Sequence, residues 1–319
     1  MATALLFDRD RVDEVTDWTD SLPKVGRSAI LWIDLEEPSD DDVAHLVDAF
    51  EIDPATAEDL RRKQTAPRLV DHGGYLHVTV IGLSDDRETA RVDCLVSERW
   101  LVTLHDKRVE VVDRFRSLAE GSGTVGMLDG LGFLANLLEW ALSTYLDAFE
   151  ALEQDLEEID ARAMSGEASV SDEVLAGLLV AMRREVGRLR RALVSHREVV
   201  LSLTRPELEA IASSDSAERF CSLRDRLEEA VQSARDARDS IVGSFDVLLA
   251  STGQRTNEIM KVLTLASVLL LPGALIAGVM GMNFEVGIFE TATYFWVVLA
   301  IIVAVAGTTL VVARVREWI

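Results

Sequence analysis

The hydrophobic pattern changes character along the chain. Up to about residue 118, short apolar runs alternate with polar turns. AILWIDL (Ala29 to Leu35) is apolar and rich in β-branched and aromatic residues, which predicts a buried strand. Ser39 followed by Asp42 makes a capping-box-like start, with Asp in place of Glu, for a helix running to about Phe50. Pro54 opens another helix through roughly Lys63, because the first turn of a helix does not need the donor that proline lacks. Two β-rich pairs follow, Arg68 to Leu83 folded at Gly73-Gly74 and Ala90 to His105 folded near Ser97-Glu98-Arg99. This succession predicts an α+β layer domain over 1–130, ending in the glycine-rich Glu120 to Gly132.

From Phe133 the period is that of a helix. Breaks at Ser165-Gly166 and near Arg205-Pro206 predict two antiparallel helices, 133–164 and 171–203, within an acidic pair over 131–206. A third helix starts at about 207. Gly243 and Gly253 are too weak alone to stop it, so it is expected to run as a stalk over 207–258 and on into an apolar stretch. That stretch, Val262 to Met280, holds no charge, and a second, Thr291 to Ala313, follows closely. Crossing the hydrocarbon core takes about 20 apolar residues. The expectation is a transmembrane hairpin: a first span 259–283, an outer loop 284–290, a second span 291–313 and a tail 314–319. Arg255 and Lys261 precede the first span, Arg314 and Arg316 follow the second, and the loop carries Glu285 and Glu290 without Lys or Arg. Cytoplasmic flanks carry the positive charge, which puts both termini inside the cell.

Composition sharpens this. The chain has 55 Asp+Glu against 32 Lys+Arg, a net charge of -23, and so is no partner for nucleic acid, whose phosphates demand cations. An acidic surface draws in cations or simply aids solubility. The segment Asp147 to Asp160 concentrates carboxylates, with Glu150, Glu153, Glu157 and Asp160 on one helical face. The basic run Arg183-Arg184, Arg188, Arg190-Arg191 on the next helix is the expected counter-face, favoured over metal sensing. Residues 1 to 15 contain no apolar leader. Cys94 and Cys221 are far apart, form no redox or metal motif, and read as small buried hydrophobes. His72 and His77 flank the Gly73-Gly74 turn as ordinary hairpin residues. No HExxH, CxxC or GxxxxGK[ST] is present, and nothing supports an enzyme or a prosthetic group.

TNEIMKVLT (Thr256 to Thr264), Pro272 and GMNF (Gly281 to Phe284) resemble the CorA family of divalent-cation channels, whose wider superfamily includes zinc transporters of the ZntB type. WIDLEEPSDDDV (Trp32 to Val43) and the stretch from Ile52 to Val80 resemble that family's cytosolic domain. The resemblance implies a homopentamer in the inner membrane with its long helices gathered into a funnel, passing Mg²⁺, with Zn²⁺, Co²⁺ or Ni²⁺ as other cargo. Leu263, Ser267, Leu271, Ala274 and Gly278 recur at helical spacing on one face. Periodicity leaves pore lining, helix packing and lipid contact open; the resemblance assigns Asn257, Leu263, Leu271, Gly278 and Asn283 to the pore. Leu271 departs from the Met that many members carry.

The resemblance also makes Gly281, Met282 and Asn283 a selectivity filter. Mg²⁺ gives up water reluctantly, and a ring of neutral carboxamides suits the waters of a hydrated ion. A helix C-cap is the compatible plain role for Asn283. Gly281 is expected to supply unusual backbone freedom at the helix end, and Met282 to pack. Glu285 and Glu290 would concentrate cations outside. The loop FEVGIFE lacks the family's usual MPE, which leaves a zinc transporter, proton-coupled or not, as the alternative; a non-conducting metal sensor is the alternative of another class. At the family's regulatory stalk aspartate this chain has Ser222. Either the expected site moves to Asp225, with Asp93 or Glu98 as partner, or gating differs here; Asp246 is either a carboxylate ring or a salt-bridge residue.

Overall fold

The computed structural model describes residues 2–8, 11–15, 18, 29–62, 66–121, 129–165, 171–205, 217–282 and 292–315. AILWIDL forms β3 (Ala29–Glu36), buried on both faces, which is why it reads as an apolar run and not as an alternation. Around it lie β1 (Ala2–Asp8), β2 (Arg11–Glu14), β4 (Arg68–Asp71), β5 (Leu76–Leu83), β6 (Thr89–Val96) and β7 (Trp100–His105). The order is β2-β1-β3-β7-β6-β5-β4. Among the described residues only β3 and β7 pair in parallel, Leu31 opposite Trp100 through Glu36 opposite His105. The hairpins β4–β5 and β6–β7 form where the turn residues place them, with Gly73 at φ 76 in the first. The pairing of β1 with β2 is an element that the pattern does not announce, because Leu5, Leu6 and Phe7 are consecutive.

The sheet is covered on both sides. Leu31, Ile33 and Leu35 of β3 with Val102 and Leu104 of β7 pack with Leu46 of α1 (Asp40–Phe50) and with Ile52. The expected capping box is present: Ser39 Oγ accepts from the Asp42 N–H at 3.1 Å, and Asp42 Oδ2 accepts from the Ser39 N–H at 2.8 Å. The Ser39 hydroxyl also donates to Asp42 Oδ2 at 2.7 Å, and this bond, with that from the Ser39 N–H, holds the Asp42 carboxyl below the usual carboxylate range. α2 (Pro54–Arg61) starts on its proline and is capped by Asp53, which accepts from the Ala55 N–H at 2.7 Å. On the opposite face Phe133 of α4 (Gly130–Ser165) meets Trp32 at 5.7 Å and Phe7 at 5.4 Å between ring centroids. There α3 (Glu110–Gly121) contributes Arg116, whose Nη2 donates to Asp34 Oδ2 at 2.6 Å.

The helix expected over 171–203 is two: α5 (Asp172–Ser195) and α6 (Arg197–Leu203). His196 sits at the break. Its Nδ1–H donates to the Ala192 carbonyl at 2.7 Å, and Nε2 accepts from the Ile81 N–H of β5 at 2.9 Å. Burial disfavours its charged form and pushes its pKa down to about 4. Above the unfolded pKa of about 6.5 the ring is neutral in both states; below it the unfolded chain takes up a proton that the folded chain refuses. Stability is therefore expected to fall as pH drops from about 6.5 to 4, by about 3 kcal/mol at full extent. Thermal unfolding of the detergent-solubilised protein at pH 7.5 and 4.5 checks this. His196→Gln, which can still accept from Ile81 but does not titrate, should show a shallower loss.

The carboxylate stripe and the arginine run do not pair as expected. Leu152, Leu156 and Ile159 of α4 and Leu175, Leu179 and Val186 of α5 are the buried positions. Arg183, Arg184, Arg190 and Arg191 are exposed and make no ion pair among the described residues, nor do Glu150, Glu153 or Glu157. The helices bury their apolar stripes and leave long charged side chains in water, where an exposed pair contributes little. Cys94 is buried, and burial pushes its thiol up; Cys221 is exposed, because it falls on the outer face of its helix. The remaining helices are α7 (Ala217–Met280) and α8 (Ala292–Val315). The start expected at 207 lies outside the described residues. The chain divides into two compact units, Met1–Ile159 with Glu173–Ser244 and Asp160–Asp172 with Phe245–Ile319.

Candidate functional site

α7 is a helix of 64 residues. It stays helical through Pro272, which lacks the N–H that would bond the Val268 carbonyl. Below the apolar stretch, Arg255 Nη1 donates to Asp172 Oδ1 at 3.0 Å, Nη2 donates to the Ala163 carbonyl at 3.2 Å, and Thr252 Oγ1 donates to Asp172 Oδ2 at 2.8 Å. These bonds tie α7 to the chain on either side of the α4–α5 connection.

The apolar part of α7 has two distinct faces. Leu265, Leu269, Pro272, Gly273, Ile276 and Met280 are half-buried, and a Cβ on Gly273 would lie 3.2 Å from Ile302 Cγ2 of α8. Leu263, Ser267, Leu271, Ala274 and Gly278 are all exposed, Leu263 at 60% and Leu271 at 72%. At about 100° per residue the two sets are centred roughly 170° apart. The stripe read from the sequence is therefore the face that α8 leaves free. Ser267 Oγ donates to the Leu263 carbonyl at 2.9 Å, so its proton is spent on its own helix.

At the end of α7 the Gly281 N–H still bonds the Ala277 carbonyl at 2.9 Å, and the Met282 N–H bonds Val279 at 3.2 Å. Gly281 does not have a positive φ, and a Cβ there would meet carbonyl oxygens at ordinary distances of 3.4 and 3.5 Å. The backbone freedom expected of Gly281 is not used, because the helical ladder runs through it. Met282 is exposed rather than packed. Asn283, Glu285 and Glu290 lie outside the described residues. Asn257 and Asp246 are exposed on α7, and Asp246 makes no ion pair among the described residues.

The expected regulatory residues differ sharply from one another. Asp225 is open, its side chain 77% exposed and 3.2 Å from its neighbour Arg224. Ser222, one turn earlier, donates to the Glu218 carbonyl at 3.3 Å. Asp93 is 4% exposed. Its Oδ1 accepts from Thr79 Oγ1 at 2.7 Å, from Arg91 Nη2 at 2.9 Å and contacts His77 Nε2 at 2.9 Å. Arg91 Nε lies 2.6 Å from Oδ2 as a charge contact, without the alignment of a hydrogen bond. Burial would raise the Asp93 pKa, but His77 and Arg91 outweigh it and hold the carboxyl below its usual range. The structure thus places Asp93 inside the sheet domain, with both oxygens committed within its own chain. His105 forms the matching centre on the other face: burial opposes its charged form, yet Asp34 and the Lys107 carbonyl raise its pKa. Among the described residues no three His, Cys, Asp or Glu converge as a metal site. Neither buried centre carries a signal in the sequence beyond a carboxylate in a β-rich run.

Residues 27–314 match the family described as CorA-like Mg2+ transporter protein. The chain belongs to this family. The cobalt/magnesium transport protein CorA of Methanocaldococcus jannaschii is 23% identical over 296 residues, 91% of this chain and 92% of that protein. The complete structure of the CorA magnesium transporter from the same organism superposes with a TM-score of 0.77 at 20% identity, covering 100% of this chain and 99% of that one. The ZntB cytoplasmic domain from Vibrio parahaemolyticus superposes with a TM-score of 0.61 at 11% identity, over 79% of this chain and 98% of that one. The fold class read from the sequence holds: an α+β layer domain, then a long helix whose C-terminal part is apolar and a second apolar helix. A CorA-like chain is an ion transporter of the membrane, not an enzyme, and α7 and α8 are each long and apolar enough to cross it.

Proposed function

We propose that this CorA-like chain is a channel carrying hydrated Mg²⁺ into the cell, through a pore lined by α7 from five copies in the inner membrane. The observation that carries the reading is the free face of α7: the stripe from Leu263 to Gly278 is the side turned away from α8. A single helix encloses nothing, so such a face lines a pore only when copies gather around it. Rings of Leu263 and Leu271 then gate by dewetting. Asn257 forms a polar ring at the cytoplasmic mouth, with Asp246 as a carboxylate ring below. Gly281, Met282 and Asn283 form the filter, and Glu285 and Glu290 draw cations to it. In this reading residues 1–258 are cytosolic, 259–283 and 291–313 span, and 314–319 return to the cytosol. The membrane potential supplies about 2.3 kcal/mol per charge per 100 mV, about twice that for a divalent ion. Internal metal would act on the stalk through Asp225.

The second reading is a proton-coupled zinc transporter, favoured by the outer loop FEVGIFE, which lacks MPE. Flux into proteoliposomes decides between them. Saturating Mg²⁺ uptake driven by an imposed potential supports the channel. Zn²⁺ uptake that requires a pH gradient replaces it with the second reading, and no flux of Mg²⁺, Co²⁺, Ni²⁺ or Zn²⁺ leaves a sensor.

The face assignment has its own test. Leu271→Asn should wet the constriction, giving Mg²⁺ uptake under internal Mg²⁺ that silences the wild type. Ile276→Asn, on the side facing α8, should lower the yield of assembled protein without opening a leak. Equal behaviour of the two variants counts against the pore face.

A further inference from the structure

The unpaired carboxylates of α4 and the arginines of α5 stand on opposite flanks of one helix pair. Arg87, in the turn between β5 and β6, marks where the two helices pass each other. Its Nη1 lies 3.7 Å from Asp155 Oδ2 of α4 and 3.6 Å from Glu185 Oε1 of α5. At about 100° per residue, Glu150, Glu153 and Glu157 lie roughly 90–150° round α4 from the centre of its buried Leu152, Leu156 and Ile159. Arg184, Arg188 and Arg191 lie roughly 140–160° round α5 from the centre of Leu175, Leu179 and Val186. All six charged residues are exposed and make no ion pair among the described residues. Arg188 Nη2 donates to the Arg87 carbonyl at 3.3 Å, a neutral partner that leaves its charge uncompensated.

The two sets also share one height. α4 and α5 run in opposite directions, since Arg255 joins the end of one to the start of the other and Arg87 joins them further along. Counted from the level of Asp155 and Glu185, Glu157 is level with Arg184, Glu153 with Arg188 and Glu150 with Arg191, each to within one residue, about 1.5 Å of rise. Within one chain the helix pair itself separates them. A second copy, turned about an axis along the helices, keeps these heights and brings its carboxylate flank to the arginine flank of the first. A head-to-tail contact of this kind repeats around a closed ring. We propose that Glu150, Glu153 and Glu157 of one copy pair with Arg191, Arg188 and Arg184 of its neighbour and hold the cytosolic helices of adjacent copies together. One exposed pair contributes little, but three at a matched spacing also fix the register of the contact. A separate polyanion is the poorer occupant of the arginine flank, because the chain's net charge of -23 repels it.

This pairing rests on the assembly of copies into a ring. Oxidative cross-linking of the full-length, detergent-purified protein tests it, with Cys221→Ser removing the exposed native thiol. Glu153→Cys/Arg188→Cys should give a ladder of covalent multimers with copper phenanthroline at low salt, while each single cysteine stays monomeric. Adding Arg184→Glu/Arg191→Glu sets carboxylates against carboxylates and should remove most of the ladder. Adding Glu150→Lys/Glu157→Lys to that variant swaps the charges across the contact and should bring the ladder back. No ladder beyond that of the single cysteines overturns the proposal, as does a disulfide formed within one chain. A ladder indifferent to the arginine reversal, or one that the charge swap does not restore, overturns it too; the first result would leave the carboxylates to a cation or to water. Native mass spectrometry of the wild type separates the two failures. Multimers without the cysteine ladder refute only this pairing, while monomers refute the ring as well.

Discussion

Asn283→Ala is expected to reduce potential-driven Mg²⁺ uptake to that of protein-free vesicles while leaving the protein folded and in the membrane. The alanine ring offers nothing to the waters of an arriving ion, and Mg²⁺ does not shed those waters readily. Asn283→Asp separates a filter from a structural cap. Both side chains can cap a helix end, but a carboxylate ring binds the cation more tightly, and conduction needs easy exit as well as entry. Asn283→Asp should therefore half-saturate at lower Mg²⁺ and pass less ion at saturation. Flux traces for the three proteins at matched reconstitution, with circular dichroism to confirm folding, check this. Wild-type flux in Asn283→Ala would remove the residue from the pathway, and the proposed filter with it.

Sequence and structure agree where one residue type has one job. Ser39 with Asp42, Pro54 and Gly73 each mark a turn or a helix start, and the elements begin there. The apolar stretches announce α7 and α8, because uncharged runs of this length are long enough to cross hydrocarbon as helices. The spacing of Leu263, Leu271 and Gly278 marked one face of α7, but its meaning depended on where α8 lies, which periodicity does not contain. The parallel pairing of β3 with β7 was not legible either, since three strands and two helices separate these partners in the chain. His196 broke a helix that its neighbours continue, through a bond to Ile81, 115 residues away. Residues matched by family motif alone, Asn283 above all, have their role from the resemblance.

The same limit governs Asp93, and the structure turns it into a prediction opposite to the one the resemblance suggests. A regulatory ligand between subunits must present its carboxylate to a neighbour, and its loss should change metal inhibition while sparing the fold. Asp93 is instead enclosed with Arg91, His77 and Thr79. Removing one partner of a buried pair leaves a desolvated charge, here Arg91 with its side chain 10% exposed, at a cost of about 3–5 kcal/mol. Asp93→Ala should lower the thermal midpoint sharply. Asp93→Leu/Arg91→Leu should recover much of that loss, because it removes both charges and not one. Asp225→Ala should do the reverse: its side chain is 77% exposed and its contact with Arg224 is a surface pair, so stability should hold to within about 0.5 kcal/mol while inhibition of uptake by internal Mg²⁺ weakens. If Asp93→Ala leaves the midpoint unchanged and relieves inhibition, the carboxylate reaches a metal after all. If Asp225→Ala alters neither stability nor inhibition, the stalk senses metal elsewhere.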